Sequence, residues 1–320
     1  MRLDQSRFTG KQKLTIDCIV LATGPVMLLV SMLVSVLGVT NALQLHMLNA
    51  LVVKFCVLCL PAVLFIRANG GRAKFGFVRM RGICWAYSFF LGMGMFFLTT
   101  ALNSLLLPMW QGLGIAQTGT SLPNAGEGSL PVLLLFVAII PAFAEETLFR
   151  GALFRVWESF DPHMALLHSA LVFALLHFQP SNLLTLFALG LVLGWVNRRT
   201  GSVFAPMVLH CAYNGASLIL RALVPEATAT ASVADAAGVS SSYLLLALIF
   251  AVMGTVLFYP AFRGLRRFAL ITTQGPPKFT RVPLEQPARR STARSEAIVL
   301  TLTYIVLIVI NIWTLLAKLV

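Results

Sequence analysis

LPVLLLFVAIIPAFAEETLFRGALF, residues 130–154, is long enough and apolar enough to cross a bilayer, yet Glu145, Glu146 and Arg150 interrupt it within six positions. A spanning helix needs about 20 mostly apolar residues. A central Asp, Lys or Arg costs about 2.5–3.5 kcal/mol on insertion scales, so ionisable groups in a span face the bundle interior or a wet cavity. The stretch therefore reads as a transmembrane helix with one charged, inward face, and the fold must supply other helices for that face to meet.

Composition agrees. The 320 residues are 58% hydrophobic and 11% charged, with a mean hydropathy of +0.86, whereas soluble domains carry about 25% charged residues. The fold class is all-α, a polytopic transmembrane helical bundle with its active site within the membrane. About nine spans are expected, with eight as the alternative: roughly 15–38, 43–66, 84–107, 130–156, 163–179, 182–197, 203–223, 242–262 and 296–318. The fifth and sixth are short and joined by Gln179-Pro180-Ser181, so they form two tight spans or a partly re-entrant pair. The last two read as plainer anchors. Three regions follow: N-terminal spans and loops over 1–129, a core of spans over 130–222, and C-terminal spans with a basic linker, 263–295, over 223–320.

The net charge of +13 sits in loops that set orientation, and no nucleic-acid partner is implied. Lys and Arg cluster in the N-terminal tail, in the second-to-third loop, at Arg198 and Arg199, and over 263–294, while 108–129 and 224–241 hold none. With nine spans, every basic segment falls on one side. The expected placement is an integral protein of a bacterial cytoplasmic membrane, N-terminus cytoplasmic and C-terminus outside. The first apolar run is too long for a signal-peptide core and reads as an uncleaved span. The five cysteines lie in or beside apolar segments and imply small buried hydrophobes, with no disulfide framework.

Helical spacing sorts the polar residues. Glu146 and Arg150 are i,i+4, acid before base, and so share a face in the favourable order. Glu145 is turned about 100° away and is left for other partners. Phe173 and His177 are i,i+4, as are His210 and Asn214. A rise of about 1.5 Å per residue puts Glu145, His177 and His210 inside the hydrocarbon layer. A carboxylate, two imidazoles and an amide meeting in one cavity suit water activation: Glu as base, His as co-base or acid, His and Asn as oxyanion donors. His46 and Lys54 in the second span receive no role. His163 and His168 are read as interfacial, and Glu158 and Asp161 as solvated loop residues.

Three segments carry a resemblance. EETLFR (145–150) is similar to an EExxxR motif, FALLH (173–177) to FxxxH, and HCAYN (210–214) to HxxxN. Their order and their placement on successive spans resemble the CPBP family of intramembrane proteases, also called the Abi or type II CAAX prenyl endopeptidase family, over about 130–222. WVNRRTGSVFAPMVLHCAYN (195–214) is similar to the run into the family's last motif. The resemblance implies that Glu145 activates water with His177, that His210 and Asn214 stabilise the oxyanion, that Glu146 and Arg150 support the site, and that Phe173 packs beside it. No cofactor is expected. Zinc held by Glu145, His177 and His210 is the alternative, although no HExxH is present. The implied activity is endopeptidase cleavage of membrane-associated or lipid-modified peptides or proteins, with substrate and bilayer as partners. A proton-coupled transporter would need repeated, Gly/Pro-broken halves, which are absent. A non-catalytic immunity or scaffold protein of the same fold would not need complete motifs.

Overall fold

The computed structural model describes residues 8–39, 41–113, 129–223, 241–268 and 290–317. Of the Gly-, Ser- and Thr-rich loop expected over 108–129, residues 108–112 are helical and continue the third span, while 114–128 lie outside the described residues, as do 224–240 of the 224–241 loop. So do 269–289 of the basic linker, whose flanks, expected as linker, are helical.

The elements are α1 (Gly10–Val36), α2 (Ala42–Leu48), a π-helical stretch Asn49–Cys59, α3 (Leu60–Ala68), α4 (Gly71–Lys74) and α5 (Gly82–Gly112). The fourth span comprises α6 (Leu130–Leu133), π turns Leu134–Ile139, α7 (Ile140–Glu146), π turns Thr147–Leu153 and α8 (Phe154–Glu158). Then come α9 (Pro162–Leu175), a 3-10 turn Pro180–Asn182, α10 (Leu183–Thr200), α11 (Phe204–Leu223), α12 (Ser241–Phe268) and α13 (Arg290–Leu316). No strand occurs among the described residues.

Seven of these helical segments are long and apolar enough to cross a membrane, and α9 and Phe204–Leu220 of α11 are shorter apolar helices. The nine hydrophobic segments are all helical, but they are not nine equal spans. The 14 residues of α9 rise only about 21 Å at 1.5 Å each, against a hydrocarbon core of about 30 Å. The chain reverses at 176–182 and returns as α10. Phe178 takes a left-handed φ of 51° in that reversal, a conformation uncommon for non-glycine residues. The last carbonyls of α9 need donors inside the bundle. Asn311 of α13 supplies one, its Nδ2 donating to Leu175 O at 2.9 Å. The last helix is therefore more than the plain anchor its composition suggested.

The fourth span is the centre of the bundle: every residue over 144–158 is buried. Around it pack Phe65 and Ile66 of α3, Phe173 of α9, Leu189 and Leu193 of α10, and Leu209 of α11. Outward faces carry large exposed apolar side chains, such as Leu29 and Leu33 of α1 and Leu244, Leu248 and Val256 of α12. Such a surface belongs in lipid, and the protein is an integral membrane protein. Small residues bring helices close where hydrocarbon gives them no reason to associate. A Cβ on Gly190 of α10 would lie 2.9 Å from Ala170 Cα of α9, and one on Gly254 of α12 would lie 3.0 Å from Gly94 O of α5.

The end of the fourth span differs from the solvated loop expected. Glu158 is buried and pairs with Arg155 at 3.2 Å and with Arg198 of α10 at 3.2 Å. Asp161 caps α9, accepting from the backbone N–H groups of His163 at 2.8 Å and Met164 at 3.0 Å. The Met164 N–H above all holds its carboxyl below the usual carboxylate range. His168 is buried too: its Nδ1 meets Tyr304 of α13 at 2.7 Å and its ring lies 4.4 Å from that of Trp157. All five cysteines are free, and Cys59 and Cys84 are buried.

Gly190→Leu is expected to force α9 from α10 and to destabilise the fold by about 1–3 kcal/mol. Melting in detergent, followed by tryptophan fluorescence, should show a lower Tm, with Gly82→Ala, which meets nothing within 4 Å, unchanged. Asp161→Ala should cost about 1 kcal/mol at neutral pH through loss of the cap. A depressed carboxyl stabilises above its unfolded pKa, and that contribution fades as pH falls through the folded value. The Tm gap between parent and Asp161→Ala should therefore hold above about pH 4 and close at lower pH.

Candidate active site

The fourth span places its three charges on two faces. Arg150 is fully buried and donates from NH1 to Glu146 Oε1 at 3.0 Å, the i,i+4 pairing expected from spacing. Its NH2 donates to Gly190 O at 3.0 Å on α10, and its guanidinium lies 4.6 Å from the Phe173 ring centre on α9. The carbonyl of Arg150 accepts from buried Asn197 Nδ2 at 3.3 Å. Glu146 Oε1 also lies 2.9 Å from His210 Nδ1 on α11. One carboxylate oxygen thus joins the fourth span to α11, and one guanidinium joins it to α9 and α10.

Glu145, 2% exposed, faces elsewhere. Its Oε2 lies 3.6 Å from His177 Nε2 and 4.0 Å from His210 Nε2. Its Oε1 pairs with Lys54 Nζ at 2.6 Å. The second span, read from sequence as having no part in the site, therefore supplies a cation. Its signal was the position itself, a lone Lys in the middle of a span.

The ring protons follow from the acceptors. His177 Nδ1 lies 2.6 Å from Phe173 O. A carbonyl only accepts, so Nδ1 carries the proton. His210 Nδ1 faces Glu146 Oε1, an oxygen that also accepts from Arg150, so it too donates. In their neutral forms both rings turn an unprotonated Nε2 toward Glu145 Oε2, itself without a hydrogen-bond donor among the described residues. Two imidazole nitrogens and one carboxylate oxygen thus converge as acceptors, the arrangement that draws protons from a water.

Phe173 is fully buried, with ring centres 4.6 Å from His177 and 5.7 Å from His210, and its edge meets Phe149 at 5.3 Å. It packs beside the site and fixes both rings. Asn214 is one helical turn from His210, but its Nδ2 donates to Val137 O at 3.4 Å, a long bond. Pro141 has no N–H to offer the carbonyl four residues earlier, and the Asn214 amide covers that gap. Glu145, Glu146, Arg150, Phe173, His177 and His210 are linked by a continuous set of contacts, and Asn214 sits at their margin on the fourth-span backbone.

For zinc, Glu145, His177 and His210 do not by themselves make a cage. Among the described residues no group of three or more His, Cys, Asp or Glu is set to hold a metal ion. The Lys54 ammonium already competes for the carboxylate.

Comparison with known proteins bears on the same region. Residues 127–216 match the family model described as type II CAAX prenyl endopeptidase Rce1-like. The chain is 37% identical over 81 residues to the uncharacterized protein YpbD of Bacillus subtilis, covering 24% of this chain and 39% of that one. It is 36% identical over 83 residues to an uncharacterized 24.3 kDa protein of Escherichia coli, covering 24% and 38%. The chain thus spans about two fifths of the length of these curated relatives. No solved structure matches it. The matched segment contains the fourth span, α9, α10 and most of α11, hence every residue of the site except Lys54, and over residues 127–216 the chain is similar to the type II CAAX prenyl endopeptidase Rce1-like family.

Proposed function

We infer that the protein is an intramembrane endopeptidase that hydrolyses peptide bonds of membrane-associated or lipid-modified substrates with a water activated by Glu145 and His177. The observation that carries this reading is the approach of His177 Nε2 and His210 Nε2 to Glu145 Oε2, at 3.6 and 4.0 Å, inside the bundle. Separations of that size suit a bridging water better than a direct hydrogen bond.

In this reading a water gives one proton to Glu145 Oε2 or His177 Nε2 as its oxygen attacks the scissile carbonyl carbon. The carbonyl oxygen becomes an oxyanion. His210, having taken a proton from solvent onto Nε2 before the attack, with Glu146 as counter-ion, donates to it, and Asn214 donates beside it. The intermediate collapses as the held proton passes to the leaving nitrogen, giving one carboxylic acid and one amine. Glu146 and Arg150 hold His210 and the fourth span in place. The chemistry needs no metal, with zinc on Glu145, His177 and His210 as the alternative. The setting we infer is a bacterial cytoplasmic membrane with the N-terminus in the cytoplasm.

Two experiments decide. The full chain in proteoliposomes is offered a peptide library containing membrane-inserting and prenylated members. Cleavage by the parent and a loss of about 10²-fold or more in Glu145→Ala, the scale of general acid–base contributions, are expected. Equal cleavage by both sinks the reading. With a cleaved peptide in hand, prolonged treatment with 1,10-phenanthroline should leave the rate within about twofold. A loss restored by added zinc would favour the metal alternative, since a catalytic zinc would be the source of the activated water.

A further inference from the structure

We propose that Lys54 is a positioning residue for the catalytic base, holding Glu145 ionised and fixing which of its oxygens works. This rests on the peptidase reading for its functional consequence, and on geometry for the ion pair.

Lys54 lies in the interior of Leu43–Ala68, at least about 15 Å from either end at the helical rise. Its side chain cannot snorkel that far to the interface. A cation there is costly, and the structure spends its charge inward: Nζ meets Glu145 Oε1 at 2.6 Å, with side-chain exposures of 17% and 3%. Lys54 sits within the π-helical Asn49–Cys59, which packs Ala50 and Val53 inward. π segments often mark functional sites.

The pairing divides the carboxylate. Oε1 is taken by the ammonium, so Oε2 is the oxygen presented to the imidazoles. Arg150 is committed to Glu146 and to the Gly190 carbonyl, so Lys54 is the cation in direct contact with Glu145. A neutral carboxylic acid at this position would offer a proton where the mechanism needs an acceptor. The residue lies outside the 127–216 family match, so the second span completes a site whose other groups lie within that domain.

The test uses N,N′-dicyclohexylcarbodiimide, an apolar reagent that adds to protonated carboxyls in hydrocarbon. The full chain in liposomes is labelled at neutral pH, and adducts at Glu145 and at buried Asp17 are quantified by mass spectrometry. Lys54→Met should raise the Glu145 adduct by about tenfold, as loss of a close opposite charge favours the neutral acid, with Asp17 unchanged. Lys54→Arg should label as the parent does. On a peptide that the parent cleaves, Lys54→Met should lower kcat by about 10-fold or more with KM within about twofold, and Lys54→Arg should recover most of it. Unchanged Glu145 labelling in Lys54→Met overturns the proposal. So does a parallel rise at Asp17, which reports a loosened fold, or a kcat that stays at the parent value. If Glu145→Ala cleaves as well as the parent, the peptidase reading fails instead, and the labelling result still decides the ion pair.

Discussion

A guanidinium with no exposed surface in the middle of a lipid-facing bundle constrains everything near it. Arg150 cannot shed its proton, so its position demands acceptors from several directions at once. It finds Glu146 on its own helix and the Gly190 carbonyl on α10, and it rests on the Phe173 ring of α9. The Gly190 carbonyl is reachable because α9 and α10 cross closely where a side chain would collide with Ala170. A buried pair of this kind adds little net stability over an apolar core, but breaking it strands a charge at about 3–5 kcal/mol. Its effect is registration: a helix sliding by one residue would lose its contact with Arg150.

Glu146 passes that registration on. Its Oε1, already held by Arg150, receives His210 Nδ1 from α11, and the ring of His210 is thereby set with Nε2 toward Glu145. The His177 ring is set independently, by its own helix through Phe173 O, and both rings lie against the Phe173 side chain. The two adjacent glutamates therefore hold different offices. Glu146 is consumed by scaffolding, and Glu145 keeps one oxygen aimed at the imidazoles.

The parts of this arrangement that were legible in the sequence are those in which both partners sit on one helix. Glu146–Arg150 and Phe173–His177 follow from a spacing of four, and the rotation of the first pair away from Glu145 follows from the same geometry. The helical class and the nine apolar segments follow from hydropathy. Pairings across the bundle were hidden because nothing local marks them. Lys54 has no acid at helical spacing, since its acid lies two spans later. Glu158 looked solvated and His168 interfacial because they lie near a connection, yet Arg155 and Arg198 fold over the one and Tyr304 meets the other. Asn214 looked committed to catalysis. The proline at 141 opens a second use for its amide on the fourth span.

The terminal helices show how far the site's support extends beyond the matched domain. Asp17 of α1 accepts from Trp157 Nε1 at 2.8 Å, and Lys13 reaches Glu296 of α13 at 3.0 Å while lying 4.0 Å from the Trp157 ring centre. His168 faces the same aspartate at 3.8 Å and meets Tyr304 on its other nitrogen. These contacts clamp α1 and α13 against the end of the fourth span and the middle of α9. At the C-terminal end of α9, Asn311 caps Leu175, two residues before His177. A 14-residue helix that is too short to cross the membrane needs both ends held from outside, because hydrocarbon offers its loose backbone groups no partner. Asp161 caps its start, and the last span holds its middle through Tyr304 and its C-terminal end through Asn311. The position of His177 against Glu145 is therefore fixed as much by a helix some hundred residues downstream as by the motif that contains it.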